Sequence, residues 1–238
     1  MGIDICGLET ILKSLSFSKN KKNCLTLGRQ GIHINKYIID LISKKYNINF
    51  TNNIINPYCE KLFNELGFET VESIDKSSYE NATYIHDLNI SIPSILKNRF
   101  DYIFDGGCIE HIFNTSQVCQ NIIDMLNING LFVSVTCNNN FSGHGIYQFS
   151  PEFFMSVFSK KYGMEILELY LAKVNDLSEN WINVKTLEGI NGRNVTKINT
   201  LEETYIIAIA KKINNTNLSL LSNPPQQYSY ENYDWKKN

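Results

Sequence analysis

The chain has 238 residues, a formal charge of −2, 43% hydrophobic and 19% charged residues. That is the profile of one ordinary globular domain with some decoration, and its charge gives no general pull towards nucleic acid. No stretch approaches the roughly 20 apolar residues of a membrane span, and the first residues lack the basic start and apolar core of a secretory signal.

Six cysteines (Cys6, Cys24, Cys59, Cys108, Cys119 and Cys137) are scattered without a CxxC or a Cys/His zinc spacing. They read as reduced, buried thiols of a cytoplasmic protein, so neither a disulfide framework nor a metal site is expected.

In chain order, Ile11, Leu12 and Leu15 suggest a short helix before the basic run 19–22. An apolar run over 24–27 then stops at Gly28-Arg29-Gln30-Gly31. Glycines there allow a ligand close to backbone N–H groups, although an ordinary strand-to-helix turn explains them equally well. Arg29 is a candidate partner for an anionic group, with a surface salt bridge as the competing account. Residues 35–66 read as helical pieces broken near Asn56-Pro57, with Tyr37, Ile38, Leu41 and Ile42 on one face and Cys59, Leu62, Phe63 and Leu66 on another.

A strand over 70–74 ends in Asp75, and one over 82–85 ends in His86-Asp87-Leu88. Carboxylates at strand ends can accept hydrogen bonds from ribose hydroxyls or an adenine amino group, which favours a binding role for Asp75 and Asp87 over solvated loop positions.

The segment 100–150 organises the rest. Residues 101–104 form a strand, Asp105-Gly106-Gly107 a tight loop, and Glu110 and His111 follow where the loop meets a helix marked by Val118, Ile122, Ile123 and Leu126. Asn129-Gly130 closes that helix, and 131–136 is a β-branched strand of buried type. A polar loop then carries His144 between Gly143 and Gly145, with Tyr147 and Gln148 beside it. Ligands of open α/β sheets sit at the carboxyl ends of strands, so 105–111 and 137–147 are expected to face one crevice.

Ser150-Pro151-Glu152 reads as cap, first-position proline and first-turn acid of a helix with Phe153, Phe154, Val157 and Phe158 on its apolar face. Strands are expected over 164–173 and 204–210, separated by the polar, irregular insert 174–203. The tail 213–238 is polar with interleaved Tyr228, Tyr230, Tyr233 and Trp235. It is expected to be poorly ordered unless it docks, an aromatic lid or a homodimer contact being the alternative. Strand–helix units followed by two strands make an α/β protein, with an open, mostly parallel sheet covered by helices on both faces.

In LTLGRQG, VESIDKSSYE, ATYIHDLN, FDYIFDGGCIEHIFN and NINGLFVSVT, the chain resembles the class I S-adenosylmethionine-dependent methyltransferases over roughly residues 23–212. The resemblance implies a Rossmann-like three-layer αβα sandwich with a seven-stranded, mostly parallel sheet and an antiparallel last strand, in a single domain over 1–212 with 35–66 as an extra helical insert. It also implies S-adenosylmethionine as cofactor, held by Gly28, Arg29, Asp75, Asp87, Leu88, Asp105 and Gly106. The family loop is glycine-richer than Gly28 to Gly31, and a long stretch separates Gly28 from Asp75. Either a helix is inserted there or the loop is rebuilt.

On the acceptor side, Glu110, Tyr147 and Gln148 are expected to touch a small-molecule substrate. His144 and His111 are the candidate bases, because neutral imidazole is available near pH 7. The combination of LGRQ, SIDKSSYENATYIHDLN, FDGGCIEHIFN and GHGIYQFSPE looks like a glycan- or small-molecule-tailoring subgroup, which implies O-methylation of a sugar or nucleotide-activated sugar. A non-catalytic partner protein with a degraded cofactor site is the alternative.

Overall fold

The computed structural model describes residues 2–51, 54, 57–184 and 200–226. The strands are β1 (Gly2–Ile3), β2 (Asn23–Leu27), β3 (Gly31–Ile32), β4 (Thr70–Asp75), β5 (Tyr84–Ile85), β6 (Phe100–Gly106), β7 (Leu126–Asn139), β8 (Met164–Lys173), β9 (Ile182–Asn183) and β10 (Thr204–Lys212). The helices are α1 (Ile5–Ser14), α2 (Lys36–Tyr46), α3 (Glu60–Glu65), α4 (Thr115–Met125) and α5 (Pro151–Val157).

An eight-stranded sheet runs in the order β5-β4-β2-β6-β7-β10-β8-β9. β5, β4, β2, β6 and β7 are parallel neighbours, and β10, β8 and β9 join antiparallel. Seven of these strands match the sheet expected from the sequence; the two-residue β9 is an added edge.

Side chains alternate across a strand, and along β6 that alternation separates two core layers. Ile103 packs with α4 and α5 through Val118, Ile122, Phe154 and Phe158. Tyr102 and Phe104 pack on the opposite face with Leu8, Ile11, Ile42 and Phe63 of α1, α2 and α3. Every residue of β6 is buried, as in parallel strands covered on both faces. This rigid central strand carries the site residues that follow it.

Local chemistry sets the helix starts. The Asp4 side chain accepts from Gly7 N (2.8 Å) to open α1. Asn35 caps α2, and Ser150 caps α5 with Pro151 at its first turn, as expected.

Three expectations are corrected. Asp105 and Gly106 are not loop residues: they pair with Ser134 and Val135, so the Asp105 carboxylate is fixed by the sheet. Asn129-Gly130 does not close the helix. α4 ends at Met125, where Leu126 already has extended backbone, and the pair lies in an irregularity of β7 between the partners of Phe100 and Tyr102. The segment after β2 pairs as β3 with the N-terminal β1, a contact between residues too short in run to show a periodicity.

Part of the tail docks. Leu220 is buried and its N–H donates to Gln120 Oε1 (2.9 Å), while the Tyr162 hydroxyl donates to Asn223 O (2.7 Å). The aromatic residues from Tyr228 onward, and 185–199 of the insert, lie outside the described residues. Among the described residues no helix is long and apolar enough to cross a membrane.

Candidate active site

Past the end of β6 the chain makes a single tight turn, Ile109–His111, that brings Glu110 back over the sheet. Glu110 is 1% exposed. Its Oε2 accepts from Thr136 Oγ1 (2.9 Å), and the Cys137 thiol donates to its Oε1 (3.6 Å). The Glu110 carbonyl accepts from Ile146 N (2.8 Å) and Tyr147 N (3.1 Å), which ties the polar loop onto the turn. Gly145 has φ +71° and lies against Glu110, so a side chain there meets both strain and the Glu110 Cγ at 3.1 Å. This close contact leaves His144 Nε2 3.9 Å from Glu110 Oε1, on a side chain 55% exposed. His111 joins the cluster, its ring 5.0 Å from that of His144.

Asp105 sits beneath this cluster, fully buried. It accepts from Cys108 N (2.8 Å), Ile109 N (3.3 Å) and Ser134 Oγ (2.7 Å). Burial, and next the charge of Glu110, push its pKa upward despite those hydrogen bonds. The Cys137 thiol is likewise pushed up, by burial first and by Glu110 second.

Above them opens a cavity of about 350 Å³ lined by Gly106, Gly107, Glu110, Cys137 and His144 from the crevice and by Asp4, His33 and Tyr205 from elsewhere. Among the described residues neither lysine nor arginine lines it. Phe141 and Tyr205 stack at 5.3 Å to form an aromatic wall. Tyr147 and Gln148 brace the loop: the Tyr147 hydroxyl donates to Phe113 O (3.0 Å), and Gln148 Oε1 accepts from Phe141 N (2.9 Å).

The ends of β2, β4 and β5 hold the other predicted residues. Gly28 N donates to Ile74 O (2.8 Å), which closes the two strand ends together. Asp75 is half-buried, with Oδ1 accepting from Ser77 N (2.9 Å). Asp87 accepts from Asn89 N (2.9 Å) and Asn89 Nδ2 (2.7 Å) and pairs with Lys76 (2.9 Å); these bonds lower its pKa to about 2. Leu88 is in the core. Arg29 is held by Glu60 (2.6 Å) and Glu80 O (2.7 Å) and lies 4.0 Å over the Tyr58 ring, which is the salt-bridge role the sequence left open.

Two groups that the sequence did not single out stand here. Gln30 is fully buried, with Nε2 donating to Leu27 O (2.5 Å). Its Oε1 has no hydrogen-bond partner, and it lies 2.8 Å from where a Cβ on Gly106 would stand. His86 Nε2 is also buried without a partner. A buried polar atom left unpaired costs about 1–3 kcal/mol, so both invite a ligand at the carboxyl ends of these strands. An aminoacyl nucleoside fits the chemistry of these groups: Asp75 could accept from ribose hydroxyls and Gln30 Oε1 from an ammonium.

The strand order, with parallel strands on one side and β10 inserted antiparallel between β7 and β8, decides the architecture. The chain has the class I methyltransferase fold. No protein-family model matches the sequence, and no curated protein matches it either. Solved structures with a similar backbone include the Burkholderia thailandensis 1,6-didemethyltoxoflavin-N1-methyltransferase with bound 1,6-didemethyltoxoflavin and S-adenosylhomocysteine (TM-score 0.49, 10% identity, covering 87% of this chain and 77% of that one). The N-methyltransferase NodS from Bradyrhizobium japonicum, with S-adenosylhomocysteine, gives 0.46 at 12% identity, covering 87% and 86%. The MccD protein gives 0.48 at 13% identity, covering 89% and 100%. At such values only the backbone is alike, and the ligands named belong to those proteins.

Proposed function

We propose that this chain is an S-adenosylmethionine-dependent methyltransferase acting on a small-molecule hydroxyl. The observation that carries this reading is the gathering of polar groups at neighbouring strand ends. Gln30 follows β2 and its unpaired Oε1 lies against Gly106 at the end of β6, Asp75 ends β4, and Gly106 lines the cavity floored by Glu110 and His144.

The bound sulfonium supplies an activated methyl group; the protein's work is to align it. Asp75 would accept from the ribose and Gln30, packed against Gly106 at the edge of the cavity, from the ammonium. Correct alignment alone can supply on the order of 7–11 kcal/mol of the barrier. His144 would take the proton of the acceptor hydroxyl at Nε2, and base work of this kind contributes a factor of about 10²–10⁴. Glu110 stabilises the imidazolium that results. His111 packs on the His144 ring and limits its motion.

The acceptor we favour is a sugar, because carboxylate, imidazole and a stacked aromatic wall surround the cavity. Among the described residues the lining holds no lysine or arginine, which favours an uncharged sugar over a diphosphate-bearing one. Calorimetric titration with S-adenosylmethionine tests the donor half. One-to-one binding that Asp75→Ala weakens supports the proposal. No heat at millimolar donor with folded protein overturns it and favours a non-catalytic partner.

A further inference from the structure

The residues on the cavity floor also have the composition of a metal site. Glu110, Cys137 and His144 come from three separate stretches, yet one donor atom from each lies within 4.8 Å of the others. Glu110 Oε1 is 3.6 Å from Cys137 Sγ and 3.9 Å from His144 Nε2. A tetrahedral ion with bonds of about 2.0–2.3 Å spaces its ligands roughly 3.3–3.8 Å apart. The triangle therefore needs only a small inward movement of His144, which sits on an exposed loop between two glycines.

Three further observations point to a cation. Glu110 is buried beside a second buried carboxylate, Asp105, and among the described residues the cavity lining offers no lysine or arginine to balance them. A buried charge without a counter-charge is costly, and a divalent ion removes that cost. The Glu110 oxygen not facing the triangle accepts from Thr136 Oγ1 (2.9 Å), the kind of outer hydrogen bond that orients a ligating carboxylate. All three residues line the cavity, so a fourth ligand can reach them from it.

We propose that Glu110, Cys137 and His144 bind a zinc ion. Thiolate, imidazole and carboxylate together select zinc over magnesium or calcium, which take oxygen ligands. Binding converts the Cys137 thiol to thiolate and releases its proton to solvent. The open position accepts water or an oxygen or sulfur of the small molecule in the cavity. The free base and the metal ligand are alternative states of the same His144 nitrogen, so metal occupancy switches the acceptor side from proton transfer to direct coordination. The proposal stands apart from the methyl-transfer reading, because metal binding is measured with neither donor nor acceptor present.

The test uses the full chain, reduced and stripped with a chelator, then titrated with Zn2+ alone and, separately, with Co2+ alone. One equivalent of Zn2+ is expected, and the cobalt form should show a thiolate-to-metal charge-transfer band. Cys137→Ser should abolish that band, and both Cys137→Ser and His144→Ala should weaken Zn2+ binding roughly 10- to 100-fold. Melting of the metal-free variants alongside the metal-free parent shows that each is folded. Failure of the parent to bind, or unchanged binding in both folded variants, overturns the proposal.

Discussion

At the ends of β2 and β4 the polar groups stand within a few residues of their strand, and Asp75 remains half-exposed. At the ends of β6 and β7, Glu110 and Cys137 are buried and His144 is exposed, and the three come from separate segments: Glu110 after β6, Cys137 on β7 and His144 in the loop beyond. The first region resembles a rack on which a ligand is laid. The second is a preset cluster in which burial first, and the charge of Glu110 next, push the pKa of Asp105 and of Cys137 upward. Substitutions in the first region should change binding with little effect on chemistry, and those in the second should do the reverse.

The largest expected effect is at His144. In chelator, so that no metal competes for the ring, His144→Ala should lower turnover about 10²- to 10⁴-fold while donor affinity stays within a factor of about two. Equal turnover in variant and parent would break the division between the two regions. Gln30→Ala comes next. It removes the acceptor for the donor ammonium, and hydrogen bonds to charged groups are worth about 1.5–3 kcal/mol, so donor affinity should fall roughly 10- to 100-fold. An unchanged titration would remove Gln30 from the donor end.

Arg29→Ala sharpens the comparison from the other side. Its guanidinium holds Glu60 of α3, Glu80 O and the Tyr58 ring, so the loss should appear as about 1 kcal/mol of stability in chemical denaturation. Donor affinity falling more than stability would show that Arg29 binds the cofactor. The smallest effect is at Asp87, whose folded pKa is lowered to about 2 by Asn89 and Lys76. A depressed carboxylate contributes stability that is present above its unfolded pKa of about 3.9 and lost as pH falls towards the folded value. Between those two pH values the parent should therefore lose stability more steeply than Asp87→Asn, as followed by melting temperature.

Much of the fold was legible because burial writes itself into the sequence. The apolar runs of β2, β6, β7 and β10, the Ser150-Pro151 helix start and the crevice joining 105–111 to 137–147 all follow from period and strand-end logic. The ends of elements were less so. Asp105 looks like a loop acid beside two glycines, but its ladder with Ser134 extends the strand by two residues. Cys137 had no sequence neighbour with ligand spacing, so only the folded sheet brings its thiol to Glu110. Gln30 carried no signal either: its burial depends on the close passage of Gly106, from a strand far along the chain.

The pairing of β1 with β3 bears on how the protein is handled at the bench. Gly2 lines the cavity, and a Cβ on it would fall 2.1 Å from the His33 ring. An affinity handle fused ahead of Gly2 is therefore joined directly to a residue of the cavity wall. A handle placed beyond the docked tail at Leu220 leaves that wall as it is.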